Sequence, residues 1–201
     1  VGRRGSLNAS ITVRGRQGHV AYPELAINPI HRALPVLAAL SAVEWDQGND
    51  HFPPTSFQLT HVEAGAGATN VIPGELRALA NFRFNTEQTA AGLQRAVETH
   101  FADHGLAASI DWKLSGLPFL TARGALISAC ETAIKQHTGR QPLASTGGGT
   151  SDGRFIAPTG AEVIELGPLN ATIHQVDECV AVDDLITLRL IYASLIQELL
   201  G

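Results

Sequence analysis

Leu7-Asn8-Ala9-Ser10-Ile11-Thr12-Val13-Arg14 is the stretch on which the fold turns. Apolar Leu7, Ala9, Ile11 and Val13 alternate with polar Asn8, Ser10, Thr12 and Arg14. Successive side chains therefore fall on opposite faces, the period of a strand with one face buried. Glu75–Phe84 repeats the pattern, with Leu76, Ala78, Ala80, Phe82 and Phe84 alternating against Arg77, Leu79, Asn81 and Arg83. Ser56–Glu63 reads as another strand, and Ala108, Ile110, Trp112 and Leu114 alternate in a fourth. Asn28 supplies a helix cap, Pro29 suits the first helical position, and Ile30, Leu34, Leu37 and Leu40 or Ser41 follow at helical spacing. Pro35 conflicts with that helix, because it lacks an N–H and its ring crowds the preceding turn; we expect a kink or a later start near Leu34. Thr86 is expected to cap a second helix whose stripe is Ala90, Leu93, Val97 and Phe101, with Gly105 ending it. From residue 6 to residue 115 the order is β-α-β-β-α-β, the ferredoxin-like pattern of a four-stranded antiparallel sheet under two helices.

Gly116-Leu117-Pro118 marks a boundary. Beyond it the pattern predicts a helix (Arg123–Thr138), a short strand (Pro142–Ser145), a glycine-rich loop and a strand (Ala161–Leu166). A final, largely apolar helix running to Leu200 should be capped by Asp183 or Asp184. These elements read as α/β, but two or three strands make an incomplete sheet, and so apolar a helix wants cover on more than one face. The chain begins at Val1 and contains no Met, so we expect a piece of a longer protein, its second module half a domain.

The 201 residues are 44% hydrophobic and 16% charged, enough apolar material to bury a core and too much for disorder. A net charge of −5 without a basic run speaks against nucleic acid or an anionic membrane as the main partner. No apolar stretch is long enough to span a bilayer, and the opening residues lack a secretory signal's apolar middle. Cys130 and Cys179 are too few for a disulfide scaffold, which fits a reducing cytoplasm.

Four stretches could carry chemistry. Thr146-Gly147-Gly148-Gly149-Thr150-Ser151-Asp152-Gly153-Arg154 frees backbone amides for an anion, with Thr150 or Ser151 capping a short helix; without the Lys of a nucleotide phosphate loop, a plain turn is the other reading. Gly167–Glu178 follows a strand end and presents His174, able to bind a metal or shuttle a proton, or simply a surface residue. Gly18-His19-Val20-Ala21-Tyr22-Pro23 presents His19 and Tyr22 in a loop. Gly65–Pro73, with Thr69 and Asn70, reads by default as a hairpin loop. Cys130 belongs to the apolar stripe of its helix with Leu126, Ile127 and Ile134. No two-His or two-Cys metal motif accompanies His174, and zinc needs three or four ligands.

In this order, Arg3-Arg4-Gly5-Ser6, Gly18–Pro23, Asn28-Pro29-Ile30-His31, Phe52–Ser56, Asn70-Val71-Ile72-Pro73, Thr146–Arg154 and Gly167–His174 resemble the zinc-dependent aminoacylase and carboxypeptidase family. The Gly147–Phe155 and Gly167–His174 stretches are closer to members that remove the succinyl group of N-succinyl-LL-2,6-diaminopimelate. Acetylornithine deacetylase, a carboxypeptidase, or a non-catalytic dimerisation and substrate-gating module are the other readings. The resemblance implies a dimerisation and lid domain over residues 5–117 and the C-terminal part of an α/β catalytic domain over 118–201, with residues 1–4 as a linker. It implies two zinc ions, of whose ligands only His174 lies in this chain, the others preceding Val1. It makes His19 the catalytic imidazole that reaches across a homodimer to hydrogen-bond the oxyanion, and makes Tyr22 and Asn70 substrate contacts delivered the same way. Arg3, Ser6, Arg83, Gly149, Thr150 and Asn170 match positions lining a dicarboxylate pocket. The intact enzyme would act in the bacterial cytoplasm on a small molecule, and these 201 residues alone would be inactive.

Overall fold

The computed structural model describes residues 1–169 and 171–201. Its elements in chain order are β1 (Gly2–Arg3), β2 (Gly5–Arg14), β3 (Gly18–His19), α1 (Pro29–Ser41), β4 (Ser56–Ala64), β5 (Val71–Ile72), β6 (Glu75–Phe84), α2 (Ala90–Asp103), β7 (Ser109–Gly116), β8 (Phe119–Leu120), α3 (Ala125–Thr138), α4 (Gly153–Ile156) and α5 (Val182–Leu200). They divide into two units, Arg4–Pro118 and Val1–Arg3 with Phe119–Gly201.

In the Arg4–Pro118 unit the alternation of β2 and β6 does what the sequence requires. Leu7, Ile11, Val13, Leu76, Ala78, Phe82 and Phe84 are all but fully buried, while Arg14 and Arg77 stay exposed. The sheet order is β4-β6-β2-β7, every pair antiparallel, which is the ferredoxin-like arrangement. Ala33, Val36, Leu37 and Leu40 of α1 and Leu93, Val97 and Phe101 of α2 close the same core. Each large side chain so buried contributes about 1.5–3 kcal/mol. Leu114 is the exception to its strand's alternation, 46% exposed, beside the register shift between β2 and β7 at Ser6 and Leu7.

Both helix caps in this unit hold a lesson. Asn28 accepts from the Ile30 N–H at 2.9 Å and α1 starts at Pro29, so the later start near Leu34 is overturned. Pro35 is exposed, and so is His31, whose carbonyl loses its helical donor; water can satisfy it there. The buried stripe is Pro29, Ala33, Val36, Leu37 and Leu40, leaving Leu34 49% exposed. The cap of α2 is Thr89, which accepts from Gly92 N–H at 3.0 Å, and not Thr86. Thr86 lies in a preceding turn held by Asn85, whose side chain accepts from Glu87 N–H at 2.9 Å.

The connection from α1 to β4 is anchored at one carboxylate. Asp46 Oδ1 accepts from Gly48 N–H at 2.9 Å, Thr55 N–H at 3.0 Å and the Asn85 amide at 2.7 Å. Burial pushes the Asp46 carboxyl upward, but hydrogen bonds from Thr55, Asn85 and Gly48 outweigh it and hold its pKa at about 2. Next to it the Trp45 ring meets Phe82 edge-on, centroids 4.8 Å apart.

In the other unit, β1 and β8 pair antiparallel and α3 packs on α5. Cys130, Ala129 and Leu195 form its buried nucleus, flanked by Leu126, Ile134, Ile164 and Leu166, as the stripe of Cys130 foretells. Gly139, at φ +67, closes α3 in the left-handed conformation that glycine adopts without penalty. Neither Pro142–Ser145 nor Ala161–Leu166 forms a strand. A strand exists by pairing, and the latter segment is held instead by the Thr121 hydroxyl, which bonds both the N–H and the C=O of Val163. The final helix starts at Val182 with Ala181 at the cap and no side-chain bond there. Asp183 and Asp184 are not caps but sit in the first turn, where their charge suits the helix dipole. Only Ile191 and Leu195 of α5 are buried, and Leu185, Ile186, Leu190 and Ile196 stay exposed.

Candidate functional site

The two loops singled out as Gly18–Pro23 and Gly65–Pro73 are brought together. Gly18 pairs with Ile72 and His19 with Val71, so the default loop reading gives way to a two-residue ladder, β3 on β5. Val20 N–H continues it to the Asn70 carbonyl at 3.1 Å. Glycine is required at 18, because a Cβ there would lie 2.8 Å from the Ala26 methyl. His19 Nδ1 accepts from the Ala21 N–H at 3.1 Å. That bond places the lone pair on Nδ1, so the neutral ring carries its proton on Nε2 and offers an N–H donor. Tyr22, 58% exposed, has its ring centroid 5.9 Å from that of His19. His19, Tyr22 and Asn70 thus form one exposed polar group at a loop cluster.

Ser6 and Arg83 form a second group. They face each other across β2 and β6. Ser6 is buried and its hydroxyl accepts from the Asn81 amide at 3.1 Å. Arg4 adds a second guanidinium here: burial first and Arg83 second lower its pKa, while its side chain reaches Pro54 O at 3.4 Å. Arg4 belongs to the Arg3–Ser6 stretch that carries the resemblance, but is not among the residues the resemblance assigns to the site. This group sits at the opening end of β2, and the β3–β5 ladder follows the far end. From Ser6 to Arg14 the strand alone spans about 25 Å at ~3.3 Å per residue.

In the other unit Arg3 donates to the Gly147 carbonyl and pairs with Glu165, which also accepts from the Ser151 hydroxyl. Glu165 was missed by the sequence reading, although it lies between Val163 and Gly167 in the stretch expected to deliver residues to a cleft. Gly148, at φ +100, lies against the Arg3 guanidinium, 3.4 Å from where a Cβ would be, and Gly149 stands clear of neighbours. Neither Thr150 nor Ser151 caps α4 through its side chain; Asp152 occupies that position, and the helix is a single turn. Asn170 lies outside the described residues.

His174 is exposed in a turn where its own backbone is left-handed, at φ +60, and its N–H donates to Glu178 Oε2 at 3.2 Å. Thr172 closes that turn, accepting from Cys179 N–H and donating to Cys179 O, each 3.0 Å. Non-glycine residues held in this conformation concentrate at functional sites. Among the described residues no group of three or more His, Cys, Asp and Glu side chains converges as a cation site. Zinc needs three or four donors, so the described residues do not by themselves make a zinc centre around His174. Among the described residues no helix is long and apolar enough to cross a membrane.

Succinyl-diaminopimelate desuccinylase of Alkalilimnicola ehrlichii is 62% identical over 201 residues, 100% of this chain and 54% of that protein. The Pseudomonas fluorescens enzyme of the same name is 62% identical over 200 residues, 100% of this chain and 52% of its own. The chain thus spans about half the length of the curated relatives it matches. Among solved structures, an M20 family metallo-carboxypeptidase of Sulfolobus solfataricus superposes with a TM-score of 0.81 at 14% identity, over 98% of this chain and 59% of that one. A tripeptidase of Staphylococcus aureus gives 0.80 at 20% identity, over 98% and 52%. At such identities the likeness speaks for the fold alone. The family profile of the peptidase dimerisation domain, M20_dimer, matches residues 1–109, and the chain belongs to that family.

Proposed function

We propose that this chain is the C-terminal part of a hydrolase that cleaves N-succinyl-LL-2,6-diaminopimelate with water to succinate and LL-2,6-diaminopimelate. The enzyme acts as a bacterial cytoplasmic homodimer. Residues 5–117 are the dimerisation and lid domain and 118–201 the end of the catalytic domain. Zinc is the cofactor of the intact protein, and His174 is the one ligand this chain gives it.

The observation that carries the reading is the spread of site residues along β2. Ser6 and Arg83 sit at one end of that strand and His19, Tyr22 and Asn70 follow the other; the strand's own length, about 25 Å at ~3.3 Å per residue, exceeds the reach of a diaminopimelate derivative. Both groups serve one substrate only if they come from two copies of the chain. In such a dimer the His19 Nε2–H of one copy donates to the oxyanion that develops on the scissile carbonyl, a contact strongest in the transition state. Tyr22 and Asn70 of that copy hold the substrate. Arg3, Ser6, Arg83, Gly149, Thr150 and Asn170 of the other copy receive its carboxylates through charge-assisted bonds and free amides. The identity to desuccinylases supports the succinyl substrate.

The test is complementation in the intact protein. His19→Ala and Arg83→Ala homodimers should each be nearly inactive toward the succinyl substrate. Mixed after exchange of subunits, they should recover about a quarter of the parent rate, since half the dimers are mixed and each mixed dimer holds one intact site. No recovery, or a preference for the acetyl over the succinyl amide, would refute the proposal. The 201 residues alone should not hydrolyse the substrate.

A further inference from the structure

The C-terminal end of α2 holds a pair of imidazoles that the proposed reaction does not use. His100 and His104 are four residues apart and so share one face of the helix, with ring centroids 4.3 Å apart. His100 Nε2 lies 3.0 Å from the Val36 carbonyl of α1, and His104 Nδ1 lies 2.8 Å from the His100 carbonyl. A backbone carbonyl only accepts, so the protons sit on His100 Nε2 and His104 Nδ1. In the neutral rings the lone pairs are then left on His100 Nδ1 and His104 Nε2. Metal-binding imidazoles are held in the same manner, with the other ring N–H donated to a carbonyl that fixes tautomer and orientation.

We propose that His100 and His104 form a chelating site for a late first-row divalent cation, Cu²⁺ ahead of Ni²⁺ and Zn²⁺. Neutral imidazole suits these metals, and affinity rises along the series to copper. Two protein nitrogens leave the remaining coordination positions to water. No third His, Cys, Asp or Glu completes the set among the described residues. Arg32, which donates to the Gly105 carbonyl at 3.4 Å, brings a positive charge to the same helix end. Both facts make the site exchangeable, unlike a structural metal centre.

The experiment is a titration of the tag-free 201-residue chain with CuCl₂ in a non-chelating buffer, read by calorimetry and by electron paramagnetic resonance. One equivalent should bind with the signature of two nitrogen ligands. His104→Gln should abolish that equivalent with an unchanged far-ultraviolet circular dichroism spectrum, because His104 is exposed and the bond from His100 to Val36 is untouched. His100→Gln, whose amide can still donate to Val36, should abolish it too. His174→Gln should leave it in place. The proposal is overturned if the parent chain binds no copper, if His104→Gln retains the two-nitrogen signal, or if His174→Gln is the variant that loses it.

Discussion

Replacing Asp46 by Asn keeps the shape of the side chain and removes its charge, which makes the stabilising role of that carboxylate measurable. In the folded chain its pKa is about 2, against an ordinary value of 3.8. One pKa unit corresponds to about 1.4 kcal/mol, so the difference sets an upper bound of about 2.5 kcal/mol, which solvent screening at this partly exposed group brings to about 2 kcal/mol of stability. The sign follows from the depressed value: the folded state prefers the carboxylate, so the contribution is complete above the unfolded pKa. It fades as pH falls through the folded one. Asp46→Asn should therefore cost about 2 kcal/mol near neutral pH, roughly half that near pH 3, and little near pH 2. For a unit of this size that is a fall of about 10 °C in the melting temperature at neutral pH. Both tryptophans, Trp45 and Trp112, lie in the Arg4–Pro118 unit, and Trp45 packs on Phe82 beside Asp46, so fluorescence-detected melting reports the relevant unfolding. Parent and variant melted across that pH range should converge as the acid protonates. A gap below about 2 °C at neutral pH, or one that stays constant down to pH 3, would refute the account of Asp46 as the anchor of the connection from α1 to β4.

Other outcomes follow from single contacts. His19→Ala in the intact protein should lower kcat by ~10²–10³ with a smaller change in KM, as the loss of one oxyanion donor does; an effect confined to KM would count against the assigned role. Leu37→Ala should cost about 2–5 kcal/mol in denaturant unfolding, whereas Leu34→Ala, at an exposed position of the same helix, should stay within about 0.5 kcal/mol. Equal effects would mean that the helix face is misassigned. Thr89→Ala should cost about 1 kcal/mol through loss of the cap, and Thr86→Ala clearly less in the same assay.

The ferredoxin-like unit was legible because one side of its sheet is dry. Alternation in Leu7–Val13 and Leu76–Phe84 reports a buried face directly, and a shift of one residue would expose every apolar group, so register follows from the sequence. Helix details were less legible for a local reason. Thr86 and Thr89 are equally able to cap, and the choice falls to Asn85, whose fully buried amide is committed to Asp46 and to the turn before α2. No local pattern encodes that long-range bond. Leu34 misled because a helix stripe read from leucines alone shifts when the small Ala33 does the packing.

The site was legible in pieces, and the reason it stayed in pieces is physical. His19 and Asn70 are about fifty positions apart and meet only because β3 and β5 pair, an encounter no helical or strand period announces. Once paired, the backbone sets the chemistry: Ala21 N–H takes Nδ1 and leaves a donor on Nε2, so the tautomer is a property of the turn rather than of the histidine. His174 is the opposite case. Its turn is well formed, yet a metal-ligand role rests on donors from outside the turn, and within these residues none converge. On the proposed reading His174 would serve a centre completed by other residues and His19 a site on a second copy, which would divide the chemistry between chains. Local periodicity reports the scaffold, whereas the separation of Ser6 from His19 along β2 is a property of the folded strand that no local pattern carries.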